Sequence, residues 1–167
     1  IVREHGGDLV LEARQGGVSF RLSLPISGEA APGSRALALD GAPPDDGARV
    51  LVVDDEPEVA ELVRGLLERA GCEVAVAESG AVALQMLDEM RFDAIVSDMR
   101  MPELDGAALW RAVHGRDPAL ARRMLFVTGD TLSPQARRLL DESGCAGLDK
   151  PFANADLLAA VRAVLAR

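Results

Sequence analysis

Residues 50–71 read VLVVDDEPEVAELVRGLLERAG, and this stretch decides the fold. Its first four residues are all apolar, which is typical of a strand that is buried on both faces. Pro57 suits the first turn of a helix, and Gly71 is a stop signal. The predicted inward stripe of this helix consists of Val59, Leu62, Val63, Leu66, Leu67 and Ala70. A buried strand followed by an amphipathic helix is the repeating unit of a parallel sheet.

The same unit recurs along the rest of the chain. Further strands are predicted at 74–77, 94–97 and 124–127, with a weaker one at 147–148, and a helix follows each of them. The predicted helix caps are Ser79, Ser133 and Asn154. Five such units, with strands that are apolar on both faces, predict an α/β fold in which helices cover both sides of a five-stranded parallel sheet.

The first part of the chain differs from this pattern. Residues 1–26 read as the end of a helix followed by a β-hairpin with strands at 8–13 and 18–24. Residues 27–48 are rich in Gly, Ala, Pro, Ser and Asp, which is typical of a flexible linker. The predicted organisation is therefore a short remnant at 1–26, a linker at 27–48 and a complete domain at 49–167.

Composition excludes several kinds of partner. The 167 residues carry a formal net charge of -9, whereas a nucleic-acid-binding protein needs a clustered basic face. No apolar run approaches the roughly 18 residues of a membrane-spanning helix, so this segment is not expected to contact a membrane. Two cysteines do not make a disulfide framework, and they favour a reducing compartment, the cytoplasm.

Polar residues follow four of the five predicted strands. Asp54 and Asp55 follow the first, Asp98 the third, Thr128 the fourth and Lys150 the fifth. In an open parallel sheet these positions share one edge, where clustered carboxylates repel each other by about 4 kcal/mol per pair unless a cation neutralises them. Mg²⁺ suits such oxygen ligands, and a carboxylate screened by a metal can attack phosphorus. Lys150 is the only lysine among 18 basic residues, which indicates a function for an ammonium group at this place.

Four motifs carry a family resemblance. They are VLVVDDEP at 50–57, IVSDMRMPELDG at 95–106, FVTG at 126–129 and KPF at 150–152. In this order and spacing, they resemble the receiver domain of two-component response regulators. The resemblance implies a doubly wound, flavodoxin-like sheet with strand order 2-1-3-4-5.

The resemblance also implies a role for individual residues. The implied roles are phospho-acceptor for Asp98, direct Mg²⁺ ligand for Asp55, ligand through water for Asp54, ligand through its backbone carbonyl for Arg100, switch hydroxyl for Thr128 and phosphoryl contact for Lys150. The Lys150–Pro151 peptide bond is expected to be cis, as in the family. One position departs from the family pattern, because Gly147 stands where an aromatic side chain usually follows the threonine inward. This departure places the usual switch in doubt.

Residues 1–26 contain the stretches IVREHGG at 1–7 and GGVSFRLSLP at 16–25. These stretches resemble the last helix and hairpin of a histidine-kinase ATP-binding domain. Together the two resemblances imply the C-terminal part of a hybrid histidine kinase, cut so that the asparagine box and the Gly-rich ATP lid are absent. The chain is therefore not expected to bind ATP. The implied phosphodonor is the histidine-kinase dimerisation domain in cis or a histidine-phosphotransfer protein in trans, and a homodimer of the receiver is left open.

Two other functions were weighed. A phosphatase of the dehalogenase type needs a second aspartate two positions after the nucleophile, where this chain has Arg100. A docking module without chemistry is the alternative that stays open. It would bind a phosphotransfer helix bundle through the helix that begins at Pro57, with Ala60, Arg64 and Leu67 near the outer edge.

Overall fold

A computed structural model describes residues 8–14, 17–23, 47–129 and 133–167 of the chain. The chain divides into two units, and the first contains a two-stranded antiparallel sheet of β1 (Asp8–Arg14) and β2 (Gly17–Ser23). This pairing confirms the predicted hairpin. The helix end predicted before Asp8 and nearly all of the predicted linker lie outside the described residues.

The second unit is built on a five-stranded parallel sheet. Its strands are β3 (Arg49–Val53), β4 (Glu73–Ala77), β5 (Ala94–Asp98), β6 (Met124–Thr128) and β7 (Ala146–Asp149). They lie side by side in the order β4-β3-β5-β6-β7, and all neighbouring pairs are parallel. Numbered within the unit, this order is 2-1-3-4-5, which confirms the predicted fold class.

Helices connect these strands and cover the sheet. They are α1 (Pro57–Arg69), α2 (Gly80–Glu89), α3 (Gly106–Arg116), α4 (Pro118–Ala121), α5 (Pro134–Ser143) and α6 (Asn154–Leu165). The predicted caps at Ser79 and Ser133 are confirmed, since each hydroxyl accepts a hydrogen bond from the backbone N–H three residues later. Gly144 ends α5 in the left-handed conformation, at φ 66°.

One helix boundary and one whole helix differ from the prediction. Asn154 is the first residue of α6 rather than its cap, because the carbonyl of Ala153 already accepts hydrogen bonds from the next turn. The short helix α4 was not predicted. The Asp117 carboxylate caps this helix by accepting hydrogen bonds from two backbone N–H groups, and Pro118 occupies the first helical position. The Asp-Pro pair is therefore the sequence signal for this helix.

The inward face of α1 also differs from the prediction. Leu62 is 54% exposed, whereas Ala60 and Leu67 are buried at 1% and 0%. Ala60, Val63, Leu67 and Ala70 recur at three- and four-residue spacing and face the sheet. Leu67 is therefore confirmed as part of the inward stripe, and its place near the outer edge in the docking alternative is wrong. Placing Leu62 inward and Ala60 near the outer edge was also wrong, because the spacing that faces the sheet runs through Ala60 and not through Leu62.

The core lies on both faces of the sheet. Leu51 and Val53 of β3 belong to one apolar cluster with residues of α2, α3 and α5. Val50 and Val52 belong to a second cluster with residues of α1 and α6. This arrangement buries β5 and β6 completely and leaves the carboxyl ends of the strands and the loops that follow them for polar groups.

Neither cysteine forms a disulfide. Cys72 and Cys145 are free, buried thiols that directly precede the two edge strands, β4 and β7. Within the described parts of the chain, no helix has the length and the apolar character needed to cross a bilayer.

Candidate functional site

The carboxyl ends of four strands bring the sequence-predicted polar residues to one edge of the sheet. Asp54 directly follows β3, Asp98 ends β5, Thr128 ends β6 and Lys150 directly follows β7. Asp54, Asp98 and Thr128 are exposed by only 4%, 9% and 2%. Charged and hydroxyl groups that are buried to this degree need partners or a ligand.

Lys150 joins two of the carboxylates. Its Nζ lies 2.8 Å from Oδ2 of Asp54 and 3.3 Å from Oδ1 of Asp98. Strand β6 separates β7 from β5, so the side chain at this position must span that strand. The lysine stem does this and delivers a compact positive charge.

Backbone N–H groups hold both carboxylates in place. Oδ2 of Asp98 accepts a hydrogen bond of 3.0 Å from the Arg100 N–H, and Oδ1 of Asp54 accepts one of 2.9 Å from the Glu56 N–H. The carbonyl oxygen of Asp98 accepts a further hydrogen bond of 2.8 Å from the Ser97 hydroxyl. Ser97 is fully buried, and it is not among the site residues predicted from the sequence. Its signal is a hydroxyl inside an otherwise apolar strand.

Electrostatics at the site are dominated by burial and by the ion pair. Burial raises the pKa of Asp98, and the positive charge of Lys150 and the Arg100 N–H offset this only in part. Burial also acts to lower the pKa of Lys150, but the hydrogen bond to Asp54 and the charges of both carboxylates outweigh it, so the pKa is raised. Lys150 is therefore positively charged at neutral pH.

Two clefts open beside these residues. One, of about 670 Å³, is lined by Asp55, Arg100 and Thr128 together with apolar residues of the loop after β5 and of α5. The other, of about 490 Å³, is lined by Asp54 and Asp55 together with residues of α1 and the start of α2. Asp55 is exposed and borders both clefts. The structure thus brings all six sequence-predicted site residues to one region, with Asp55 and Arg100 at its rim.

The donor set of the site fits Mg²⁺. Asp54, Asp55 and Asp98 are hard oxygen donors, and the one ammonium of Lys150 leaves two of their negative charges without compensation. Among the described residues, no three His, Cys, Asp or Glu side chains stand close enough together to form a ready metal cage. The reason is geometric: Asp54 and Asp98 contact Lys150, while Asp55 extends toward solvent.

A tight turn follows Asp98. The carbonyl of Pro102 accepts a hydrogen bond of 2.7 Å from the Leu104 N–H, and Glu103 between them has φ 64°, which is unusual for a residue other than glycine. The Gly106 N–H donates back to the Met99 carbonyl at 3.1 Å. A Cβ on Gly106 would lie 2.8 Å from the Asp98 carbonyl oxygen, so this glycine permits a close approach that any side chain would prevent.

Two further expectations concern β7. The Lys150–Pro151 peptide bond is cis, which confirms the prediction. At Gly147, a Cβ would lie 2.8 Å from Cδ1 of Leu140 on α5. Leu140 therefore occupies the space into which the aromatic side chain implied by the resemblance would extend.

Comparisons with known proteins agree with this geometry. The family model for the response regulator receiver domain matches residues 50–162. The response regulator MprA of Mycobacterium tuberculosis is 40% identical over 119 residues, which are 71% of this chain and 51% of that protein. A response regulator receiver protein of Anaeromyxobacter is 42% identical over 107 residues, which are 63% of this chain and 43% of that protein. The chain thus matches about half the length of these curated relatives.

Solved structures show the same fold. The chemotaxis protein CheY4 of Vibrio cholerae superposes with a TM-score of 0.65 at 34% identity, covering 71% of this chain and 98% of that one. The receiver domain of the sensor histidine kinase PA1611 of Pseudomonas aeruginosa gives a TM-score of 0.64 at 27% identity, covering 72% and 99%. The PA1611 structure has a magnesium ion coordinated in its active-site cleft.

Proposed function

This chain belongs to the response regulator receiver domain family, and from this premise we propose that it accepts a phosphoryl group from a phosphohistidine onto Asp98. The observation that carries the proposal is the environment of Asp98. Its carboxylate is buried at the end of β5, held by the Arg100 N–H and contacted by the Lys150 ammonium, beside an open cleft. A nucleophile that is held in this way needs little reorganisation to react.

The proposed step is a displacement at phosphorus. An oxygen of the Asp98 carboxylate forms a bond to phosphorus while the phosphorus–nitrogen bond of the phosphohistidine breaks. The imidazole leaves and takes up a proton from solvent. Phosphoryl transfer depends mainly on positioning and on neutralising charge, and residues of this site supply both.

Each neighbouring residue has a part in this proposal. Lys150 already contacts Asp98 and would bind an oxygen of the incoming phosphoryl group, while the hydroxyl of Thr128 would bind a second one. Asp54, Asp55, Asp98 and the backbone carbonyl of Arg100 are the proposed holders of Mg²⁺. When bound, the ion would neutralise the negative charge that Lys150 alone leaves at the site.

The proposed context is the C-terminal part of a hybrid histidine kinase. The motifs of residues 1–26 and the hairpin of β1 and β2 support it, and PA1611 is a sensor histidine kinase whose receiver domain resembles this chain. The donor would be the kinase's own dimerisation domain or a separate phosphotransfer protein. We propose the cytoplasm as the compartment, because both cysteines are free thiols.

Intact-mass spectrometry after incubation with a small-molecule phosphodonor and Mg²⁺ tests the function. We expect the mass of one added phosphoryl group, lost with a chelator and lost in Asp98→Asn. Asp88→Asn is the matched control, because Asp88 is an exposed carboxylate in a surface ion pair with Arg116. It should keep the adduct.

The result that contradicts the proposal is equally clear. A folded protein that takes no phosphoryl group, either from small donors or from a phosphohistidine protein, is not a phospho-acceptor. An adduct that persists in Asp98→Asn would place the acceptor elsewhere. Transfer from a radiolabelled kinase core that carries the dimerisation domain, compared with transfer from a phosphotransfer protein, tests the hybrid-kinase context separately.

A further inference from the structure

The first residue of α2 touches the turn that follows Asp98. Gly80 is buried, and a Cβ built on it would overlap Cδ2 of Leu104 and lie 2.7 Å from the Leu104 backbone oxygen. Contacts this short do not occur for real Cβ atoms, so a side chain at this position would force one partner to move. One of the two Leu104 atoms belongs to the backbone, which cannot rotate away as the end of a side chain can.

Conformational freedom does not explain this glycine. Gly80 is absent from the described glycines with positive φ, so alanine could adopt its backbone conformation. Glycine also stabilises a helix less than alanine does. The remaining reason for a glycine is the close approach of two segments. The first residue of α2 packs directly against Leu104 in the turn that follows Asp98.

The turn connects the contact at Gly80 to Asp98. Leu104 is tied to Pro102 by the 2.7 Å hydrogen bond, and Glu103 between them already has a strained backbone. The far end of the turn is fixed, because Gly106 lies directly against the Asp98 carbonyl. A displacement of Leu104 must therefore pass back through Pro102 toward Arg100, whose N–H holds the Asp98 carboxylate.

We infer that Gly80 is a positioning residue for the phosphorylation site, acting through Leu104 on the turn that orients Asp98 and Arg100. This inference rests on the proposed function. It assigns to α2, which contributes no side chain to the ion pair of Lys150, the task of setting where the acceptor and the Arg100 carbonyl stand. The contact that does this joins Gly80 to the side chain and the carbonyl group of Leu104.

The size of the effect follows from the distances. A methyl group on Gly80 must open the contact with the Leu104 oxygen from 2.7 Å to about the 3.4 Å at which ordinary contacts begin. Misplacement of a reacting group by about 1 Å costs about 100-fold in rate. For Gly80→Ala we expect the rate of phosphorylation by a small phosphodonor to fall by about 10- to 100-fold, together with weaker Mg²⁺ binding.

The matched control is Gly65→Ala. Gly65 lies inside α1, and a Cβ there would meet no atom within 4 Å. Both variants add one methyl group to a helix glycine, but only one of them adds it against the turn. We expect Gly65→Ala to keep the wild-type phosphorylation rate and Mg²⁺ affinity, the latter measured by calorimetry. Circular dichroism and thermal unfolding show that each variant is folded.

Two further measurements distinguish a positioning role of Gly80 from a merely structural one. In the background of Gly80→Ala, Leu104→Ala removes the side-chain part of the clash, so the double variant should react faster than the product of the two single effects predicts. Nuclear magnetic resonance should show a shift of the Arg100 amide signal in Gly80→Ala that Gly65→Ala lacks. If Gly80→Ala is unfolded, Leu104→Ala releases the turn without any clash and should lower the rate severalfold.

The outcomes distinguish the two proposals. If the wild-type chain is phosphorylated and folded Gly80→Ala reacts at the same rate, the positioning role is overturned and the proposed function stands. The same conclusion follows if Leu104→Ala reacts at the wild-type rate. If the wild-type chain takes no phosphoryl group, both proposals fall.

Discussion

Replacing Lys150 with methionine should destabilise the protein by removing the positive partner of two buried carboxylates. Lys150 Nζ lies 2.8 Å from Asp54 and 3.3 Å from Asp98. Opposite charges at about 4 Å and an effective dielectric of about 20 attract by about 4 kcal/mol. Methionine keeps the length of the stem and removes only the charge and the hydrogen bonds.

The net cost is smaller than the attraction. Breaking a buried pair by removing one partner costs about 3 to 5 kcal/mol. The side chain of Lys150 is 21% exposed and the neighbouring cleft is open, so water will screen part of the loss. We expect Lys150→Met to lower the free energy of unfolding by about 2 to 3 kcal/mol in the absence of divalent cations, which corresponds to about 10 °C in Tm.

The assay is urea unfolding of Lys150→Met beside Arg116→Met. Arg116 forms an ion pair of 2.7 Å with Asp88, but both side chains are more than half exposed. Loss of such a surface pair costs about 0 to 1 kcal/mol. The two variants therefore remove ion pairs of similar length that differ in burial.

Acid and Mg²⁺ provide two internal checks. Burial already raises the pKa of Asp98, and loss of the Lys150 charge raises it further. A carboxyl whose pKa is raised on folding favours the folded state at low pH and loses that contribution as pH rises through the folded pKa. The deficit of Lys150→Met should therefore be full at neutral pH and smaller in mild acid. Mg²⁺ should stabilise this variant more than the wild type. Equal deficits in Lys150→Met and Arg116→Met would refute the reasoning.

Three further predictions concern packing. Leu67→Ala should lower the free energy of unfolding by about 2 to 5 kcal/mol, and Leu62→Ala by less than about 1 kcal/mol, in parallel urea titrations, because only Leu67 is buried. Burial raises the pKa of the Cys72 thiol, so its reaction with a thiol reagent should be slow in the native protein and become fast on unfolding; rapid native labelling would contradict its burial. Gly147→Phe should cost about 1 to 3 kcal/mol through a clash with Leu140, and Leu140→Ala in the same chain should recover part of it; additive effects in the double-mutant cycle would refute the contact.

Convergence at the site could be predicted from the sequence because it depends on topology alone. Asp54, Asp98 and Lys150 each stand at the end of a predicted strand, and the carboxyl ends of parallel strands share an edge whatever the side chains between them do. The ion pair itself could not be predicted. It depends on whether the Lys150 stem reaches across β6, and the sequence does not contain that distance.

The packing contacts could not be predicted from the sequence for a different reason. Ala60 and Leu62 are both apolar and lie two positions apart in α1, so periodicity alone did not decide which of them faces the sheet. The N-cap of α6 was misplaced by one residue because Asn154 is a good cap but the chain begins to turn at Ala153.

Gly80 and Gly147 show what such contacts imply about function. Both lack a positive φ, and in both a Cβ would approach an atom within 3 Å. At Gly147 the neighbouring atoms are the end of the Leu140 side chain, which can change rotamer and give way. At Gly80 they include the Leu104 carbonyl, which moves only if the turn after Asp98 moves with it. A substitution at Gly147 should therefore perturb the packing of α5 on β7, whereas the same change at Gly80 should perturb the proposed phosphorylation site.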